Sequence, residues 1–442
     1  MGFGQSISSS GVVSSFTSTY GDITTPKTFT FTGSGFVPGQ PAVLIANPEF
    51  EISTAVGGPF TSTLNINSNG SGNITTTTIY VRMSENTIPG TYTGKVIRFE
   101  NISAGFLFNK GIATSTVNVR NIDVINIEIP DKVYNGNTTA IINDNGTPIA
   151  LDNVRTVDLA LVTLVTTGAT AVFDDPNVAN GINITISGYS ISGAASAYYS
   201  LNQPSGYFAN ITPKPLTISG LSTSSRDYDG TTAFTISGTA SLNGVELVDA
   251  GNVSLSGTFT GSVLSAAVGT GKTVTTSGAS LTGSAAGNYT LTNPSFTAAI
   301  NAKTLTITAT QVNKTYGTAL VDGTGYSAFN AVGLVSGEVA GTVTVTYGTG
   351  AAANANVGTY STNAVVLSTL TGGSGGFIPS NYSIGYANAN IVVGAKALTI
   401  TGVGANDKSY DANTTATISG TAVLVGVESG DDCTLNSTGA GA

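Results

Sequence analysis

The sequence of 442 residues contains no histidine and no tryptophan, one cysteine (Cys433) and two methionines, and only 9% of it is charged. Without histidine, general acid–base work would fall to carboxylates, Lys or Tyr. A lone cysteine forms no internal disulfide and matches no zinc spacing. No apolar run reaches the length of a membrane span, and Met1-Gly2-Phe3-Gly4 lacks the basic and apolar regions of a leader peptide. Lys and Arg are scattered singly in a chain of net charge −9, which argues against nucleic acid or an anionic membrane as partner. What remains is rich in Gly, Thr, Ser, Ala, Asn, Val and Ile. β-Branched residues suit a pleated, half-buried surface, while Gly and Asn supply tight turns. With 40% hydrophobic residues the chain can form packed cores. At roughly 100–150 residues per domain its length predicts three to five of them.

Internal repetition is the strongest signal. Val133-Tyr134-Asn135-Gly136-Asn137-Thr138-Thr139-Ala140 returns as Asp227-Tyr228-Asp229-Gly230-Thr231-Thr232-Ala233, as Thr315-Tyr316-Gly317-Thr318-Ala319, and as Ser409-Tyr410-Asp411-Ala412-Asn413-Thr414-Thr415-Ala416. These tyrosines stand 94, 88 and 94 residues apart. A second marker closes each unit at Tyr199, Tyr289 and Tyr382, and a third opens the next at Lys214, Lys303 and Lys396. A period near 90 residues exceeds that of a solenoid and fits whole sandwich domains of roughly 100 residues. Alternating runs place Leu216/Ile218, Leu305/Ile307, Leu398/Ile400 and Ile122/Val124 inward. Val178, Gly188 and Gly193 keep the spacing of Val268, Gly278 and Gly283. The predicted architecture is all-β: tandem immunoglobulin-like β-sandwich domains arranged as an elongated rod. Residues 1–119 form a separate N-terminal sandwich with a central strand at Ile79-Tyr80-Val81-Arg82 and a tyrosine corner at Tyr92. Repeats follow at 120–213, 214–302 and 303–395, and 396–442 reads as a truncated fourth, since half a sandwich cannot bury its own sheet face.

The units with Tyr228-Asp229-Gly230-Thr231-Thr232-Ala233 and Gly287-Asn288-Tyr289-Thr290-Leu291 resemble YDG domains. The unit with Tyr316-Gly317-Thr318 and Val357-Gly358-Thr359-Tyr360 resembles the related MBG domain of the Tyr-Gly type. The first repeat departs from the pattern at Tyr134-Asn135-Gly136 and at Ala197-Tyr198-Tyr199. The resemblance implies bacterial immunoglobulin-like repeats of large secreted or cell-surface adhesins, often from Bacteroidetes, with no catalytic residues to carry over. It implies an extracellular, monomeric stalk that spaces a distal binding head from the cell, the host or environmental glycans and proteins being met by other parts of the full protein. The alternative is that the domains themselves bind glycan or protein, for which Tyr198, Tyr199, Tyr207 and Phe208 are the nearest aromatic cluster.

Site chemistry is sparse, and no enzyme, catalytic residue or cofactor is expected. The adjacent carboxylate pairs Asp174/Asp175 and Asp431/Asp432 lie in predicted loops and read as solvated turns. Asp431 and Asp432, in Ser429-Gly430-Asp431-Asp432, are the weak calcium candidates. The second repeat has Val248-Asp249-Ala250-Gly251 there, so no ligand set recurs. A cation precedes each marker tyrosine by two residues: Lys132, Arg226, Lys314 and Lys408. Arg226 speaks against a Lys–Asn isopeptide bond, and a stem covering the tyrosine ring accounts for all four. Tyr134, Tyr228, Tyr316 and Tyr410 could form a ligand-stacking row, but one per domain at one position reads better as packing at a domain boundary. Cys433, in an alternating run, is read as a small buried hydrophobe.

Overall fold

A computed structural model describes residues 4–436; Met1-Gly2-Phe3, read above for a leader, and the last six residues lie outside it. Short 3-10 turns are the only helical elements among the described residues; everything else regular is strand. No helix there is long and apolar enough to cross a membrane. The chain divides into two compact units, Met1–Lys214 with Glu246–Ala250 and Gly287–Thr290, and Pro215–Val245 with Gly251–Ala286 and Leu291–Ala442.

In the N-terminal module, strand Lys27–Ser34 buries Phe29, Phe31 and Gly33 and turns its threonines outward, as the two-residue period of a strand requires. It lies beside the expected central strand, Ile74–Met83, in a sheet completed by Ser6–Ser9 and Phe50–Ser53. A second sheet orders Gly105–Gly111, Val96–Asn101, Pro41–Ala46 and Thr63–Asn67. The two inner faces share one core, in which the rings of Phe31 and Phe99 meet edge to face at 4.9 Å. The tyrosine corner is present: Tyr92 Oη donates to the Ile88 carbonyl at 2.6 Å. Tyr360 repeats the same four-residue step onto Asn356, at 3.0 Å.

The three repeats share one topology. In each, a five-stranded sheet starts at the short strand leading into the marker tyrosine. In the first repeat its order is Lys132–Val133, Tyr207–Thr212, Ala179–Ser187, Thr170–Phe173, Thr139–Ala140. The second repeat gives Arg226–Asp227, Ser295–Asn301, Gly269–Thr282, Ser254–Ser262, Ala233–Phe234. The third, despite its different turn, gives Val312–Thr315, Ala389–Gly394, Gly358–Ser374, Val339–Tyr347, Gly323–Tyr326. A smaller sheet lays the opening strand of a repeat parallel to the strand begun by its second tyrosine, so that Arg120 pairs with Tyr199 and Lys303 with Tyr382. Ile122, Leu216, Leu305 and Ile307 are fully buried, as the alternation predicts.

The fourth segment differs. Only the hairpin of Thr399–Ala405 and Ile418–Val425 forms a ladder there. Leu398 and Ile400, expected to point inward, are 38% and 55% exposed, because among the described residues no second layer covers that face. Cys433 is exposed for the same reason, which corrects its reading as a buried hydrophobe.

Candidate functional site

The marker tyrosines sit where one domain ends and the next begins, and backbone pairing puts them there. Strand Lys132–Val133 runs parallel to the last strand of its repeat, and the Tyr134 amide then donates to the carbonyl of Thr212 at 2.9 Å. Tyr228 and Tyr316 make the same bond to Asn301 and Gly394, each at 2.9 Å. The ring is thereby fixed beside the residues that lead into the following repeat.

The loop after the tyrosine is held from inside by its cation. Lys132 Nζ bonds Asn135 Oδ1 at 3.0 Å, Asn137 Oδ1 at 3.2 Å and the Thr139 carbonyl at 3.1 Å. Arg226 serves Asp229 Oδ1 at 2.6 Å and the Thr231 and Ala233 carbonyls. Lys408 repeats this with Asp411 and Asn413, while the buried Lys314 bonds the Thr318 and Ala352 carbonyls. The ring beneath the cation is Phe173 for Lys132 and Phe234 for Arg226, at 5.0 and 4.7 Å. The sequence reading, which put the stem over the marker tyrosine, is corrected: the cation ties down the turn that presents the tyrosine. The Arg226 guanidinium, with its several fixed donors, reaches the same kind of partners as the lysine ammonium does in the first repeat.

Across each joint the phenol meets a carboxylate. Tyr134 Oη donates to Asp249 Oδ2 at 2.8 Å, Tyr228 Oη to Glu338 Oε1 at 2.7 Å and Tyr316 Oη to Asp431 Oδ1 at 2.6 Å. The acid lies three residues into a tight turn, its amide donating back to Glu246, Val335 or Glu428. The second marker tyrosine shares the same acid. Tyr289 Oη donates to Asp249 Oδ2 at 2.6 Å and accepts from the Glu246 amide at 3.0 Å. Tyr382 does the same with Glu338 and the Val335 amide. The paired rings meet edge to face, Tyr134 on Tyr289 at 5.4 Å and Tyr228 on Tyr382 at 5.5 Å. One carboxylate therefore accepts a phenol from each side of the joint.

The N-terminal module uses the same device, through a residue that sequence reading passed over. Tyr20 packs edge to face on Tyr199 at 5.7 Å, and Tyr199 Oη donates to Asp158 Oδ2 at 2.7 Å while accepting from the Arg155 amide. Burial first, then a hydrogen bond to Asp158, raise the pKa of Tyr20 above the usual tyrosine range. Tyr20-Gly21 matches Tyr316-Gly317 in order, and both glycines have positive φ, 85° in each case. A Cβ on Gly21 would strike the Arg155 side chain at 2.4 Å, and one on Gly317 the Glu428 carboxyl. The glycine thus lets the turn of the next domain close over the tyrosine. Asp158 and Glu338 were also missed, and Asp249 and Asp431 were weighed only as members of a calcium set, although the tight turn preceding each buried tyrosine carries an acid in every repeat.

Burial first, then the hydrogen bond to the acid, pushes Tyr134, Tyr199 and Tyr382 up to about 12 and raises Tyr289 still further. The folded state therefore holds these protons more tightly than the unfolded chain, whose tyrosines titrate near 10.0. Their contribution to stability is complete below pH 10 and falls as the pH climbs towards 12. Thermal unfolding followed across that range should show the midpoint dropping together with the appearance of phenolate absorbance. Tyr134→Phe combined with Tyr289→Phe should flatten that part of the profile.

Of the residues singled out from sequence, Tyr134, Tyr228, Tyr316, Tyr199, Tyr289 and Tyr382 are brought together in pairs or with an acid. Tyr410 heads the same turn but stands 94% exposed. Asp431 takes the Tyr316 proton bond, and among the described residues no group of three or more acidic, Cys or His side chains gathers as a metal would require. Asp174 accepts from Asn183 and Thr185, and Asp175 braces the turn at Asn177.

Comparison with known proteins gives one family. The YDG domain matches residues 118–206, 212–297 and 394–442. No curated protein matches the chain. Among solved structures, a SusE-like surface-located polysaccharide-binding protein from the Bacteroides thetaiotaomicron heparin utilisation locus aligns at 12% identity, over 87% of this chain and 72% of that one, with a TM-score of 0.13. A score that low carries no argument about this chain.

Proposed function

The chain belongs to the YDG domain family, and from that premise we propose that it is a spacer segment of a large bacterial surface or secreted adhesin-like protein. The observation that carries this reading is the joint: at three successive domain boundaries a tyrosine hydroxyl donates to a carboxylate of the next domain, and at the first Tyr20 packs on the Tyr199 that bonds Asp158. A chain of independent binding domains on flexible linkers has no need of such joints. A spacer does, because its reach depends on restricting rotation between neighbours. On this reading the segment works outside the cell as a monomer, needs neither calcium nor another cofactor, and performs no catalysis. Residues 303–395, which lie between the second and third matched segments but for their last two residues, are its MBG-type member, with the same sheet order and a Tyr-Gly turn. The ligand-binding alternative has less to draw on, since Tyr199 is buried in a joint and Tyr198 packs tilted against Tyr20 at 5.1 Å.

Small-angle scattering on the intact chain tests the proposal. An extended particle whose scattering stays the same between low and moderate salt is the expected result. A compact globule, or the broad distribution of freely jointed domains, would sink it.

A further inference from the structure

The joints share their tyrosines and acids but differ in the residue immediately before the second tyrosine. That residue is Asn288 in the second repeat, Asn381 in the third and Tyr198 in the first. Asn288 Oδ1 accepts the Val178 amide at 2.9 Å, and its Nδ2 donates to Asn177 Oδ1 at 2.9 Å. Asn381 Oδ1 accepts the Val268 amide at 3.0 Å. Val178 and Val268 occupy one position of the repeat, just ahead of the central strands Ala179–Ser187 and Gly269–Thr282. Each asparagine thus fills a hydrogen-bonding vacancy that every preceding repeat of this kind offers. Tyr198 faces the N-terminal module instead, its ring tilted against that of Tyr20 at 5.1 Å. Arg155 supports it, its guanidinium 4.7 Å over the Tyr20 ring and its Nη2 donating to Asn86 Oδ1 at 3.0 Å.

We propose that this position reads the identity of the preceding domain: asparagine accepts another repeat, through the amide at the Val178 or Val268 position, and tyrosine accepts the N-terminal module, through the face of Tyr20. Domain order is then written into the acceptor end of each repeat. The physical ground is mismatch. A tyrosine at 288 would leave the Val178 amide without its acceptor, and an asparagine at 198 would give up the contact with the Tyr20 ring. Leaving a buried partner unsatisfied costs more than the bond itself contributes. This inference stands on the joint geometry and does not require the spacer reading.

The test uses the full chain and amide hydrogen exchange resolved by residue. Asn288→Tyr should speed exchange at the Val178 amide about tenfold or more, with Arg155 at the first joint unchanged. Asn288→Asp, which keeps an acceptor oxygen, should leave Val178 protected. Tyr198→Asn should speed exchange at the Arg155 amide to a similar degree and spare Val178, whereas Tyr198→Phe, which keeps the ring, should behave as the wild type. Protection of Val178 surviving in Asn288→Tyr would overturn the proposal. So would a Tyr198→Phe chain as open as Tyr198→Asn, or either substitution loosening both joints alike.

Discussion

Asp249→Ala should open the joint between the first and second repeats while both repeats stay folded. Asp249 is 7% exposed, and its carboxylate accepts hydrogen bonds from two phenols that are themselves 4% and 6% exposed. Hydrogen bonds to a charged acceptor contribute about 1.5–3 kcal/mol each, and their loss leaves two hydroxyls buried without an acceptor. Removing the buried charge returns part of that, because the carboxylate no longer has to be kept out of water. A net weakening of about 2–4 kcal/mol remains for the joint. Exchange at the Glu246 amide, which donates to Tyr289 Oη, should accelerate about thirtyfold or more. Asp249→Asn, which can still accept, should fall between. Unchanged exchange at Glu246 in the alanine variant would show that the shared acid does not hold the joint.

Gly283→Ala should unfold the second repeat rather than loosen a joint. Gly283 has φ +112°, and a Cβ there would sit 2.1 Å from the Asn252 carbonyl oxygen. That oxygen is backbone and already accepts the Ala285 amide, so it cannot swing aside. The dihedral alone costs a non-glycine residue about 1–2 kcal/mol, and the collision adds to it by forcing apart the end of strand Gly269–Thr282 and the turn at Asn252. Denaturant unfolding should show an early transition absent from the wild type. The equivalent Gly193, 2.3 Å from the Leu161 carbonyl, predicts the same loss in the first repeat. Ala substitution at Gly287, where nothing lies within 4 Å of a Cβ, is the control and should be tolerated.

These two sites differ in how visible they are in the sequence. Gly193 and Gly283 announce themselves because a strand-to-turn reversal repeats at a fixed offset within one unit, and local geometry leaves a periodic trace. The same holds for Leu305 and Ile307, whose alternation is set by the pleat. Even the third repeat, with Tyr316-Gly317 in place of a Tyr-Asx-Gly turn, keeps its sheet order, since five paired strands constrain topology more strongly than one turn does. The joint is harder to read. Tyr134 and Asp249 lie 115 positions apart and belong to different repeats, so no window of sequence contains both. The acid changes between Asp and Glu because only a carboxylate oxygen is needed, and its flanking residues, from Arg155-Thr156-Val157 to Val335-Ser336-Gly337, are unlike one another. Tyr20-Gly21 escaped notice because its module carries neither the second marker nor the opening Lys motif of the repeats at their period. The cations were placed correctly and given the wrong ring, since spacing along a strand tells which face a side chain leaves from, not which neighbour its far end reaches.

The position of the marker tyrosine has a mechanical corollary. Its amide is bonded to the final residue of the last strand of its own repeat and its hydroxyl to the acid of the next, so the ring runs alongside the covalent linker as a second, non-covalent strut. A pull along the chain is then shared between the peptide backbone and a bolt at its side. A single protease nick in the linker would cut one of the two load paths and leave the neighbouring domains fastened by the other.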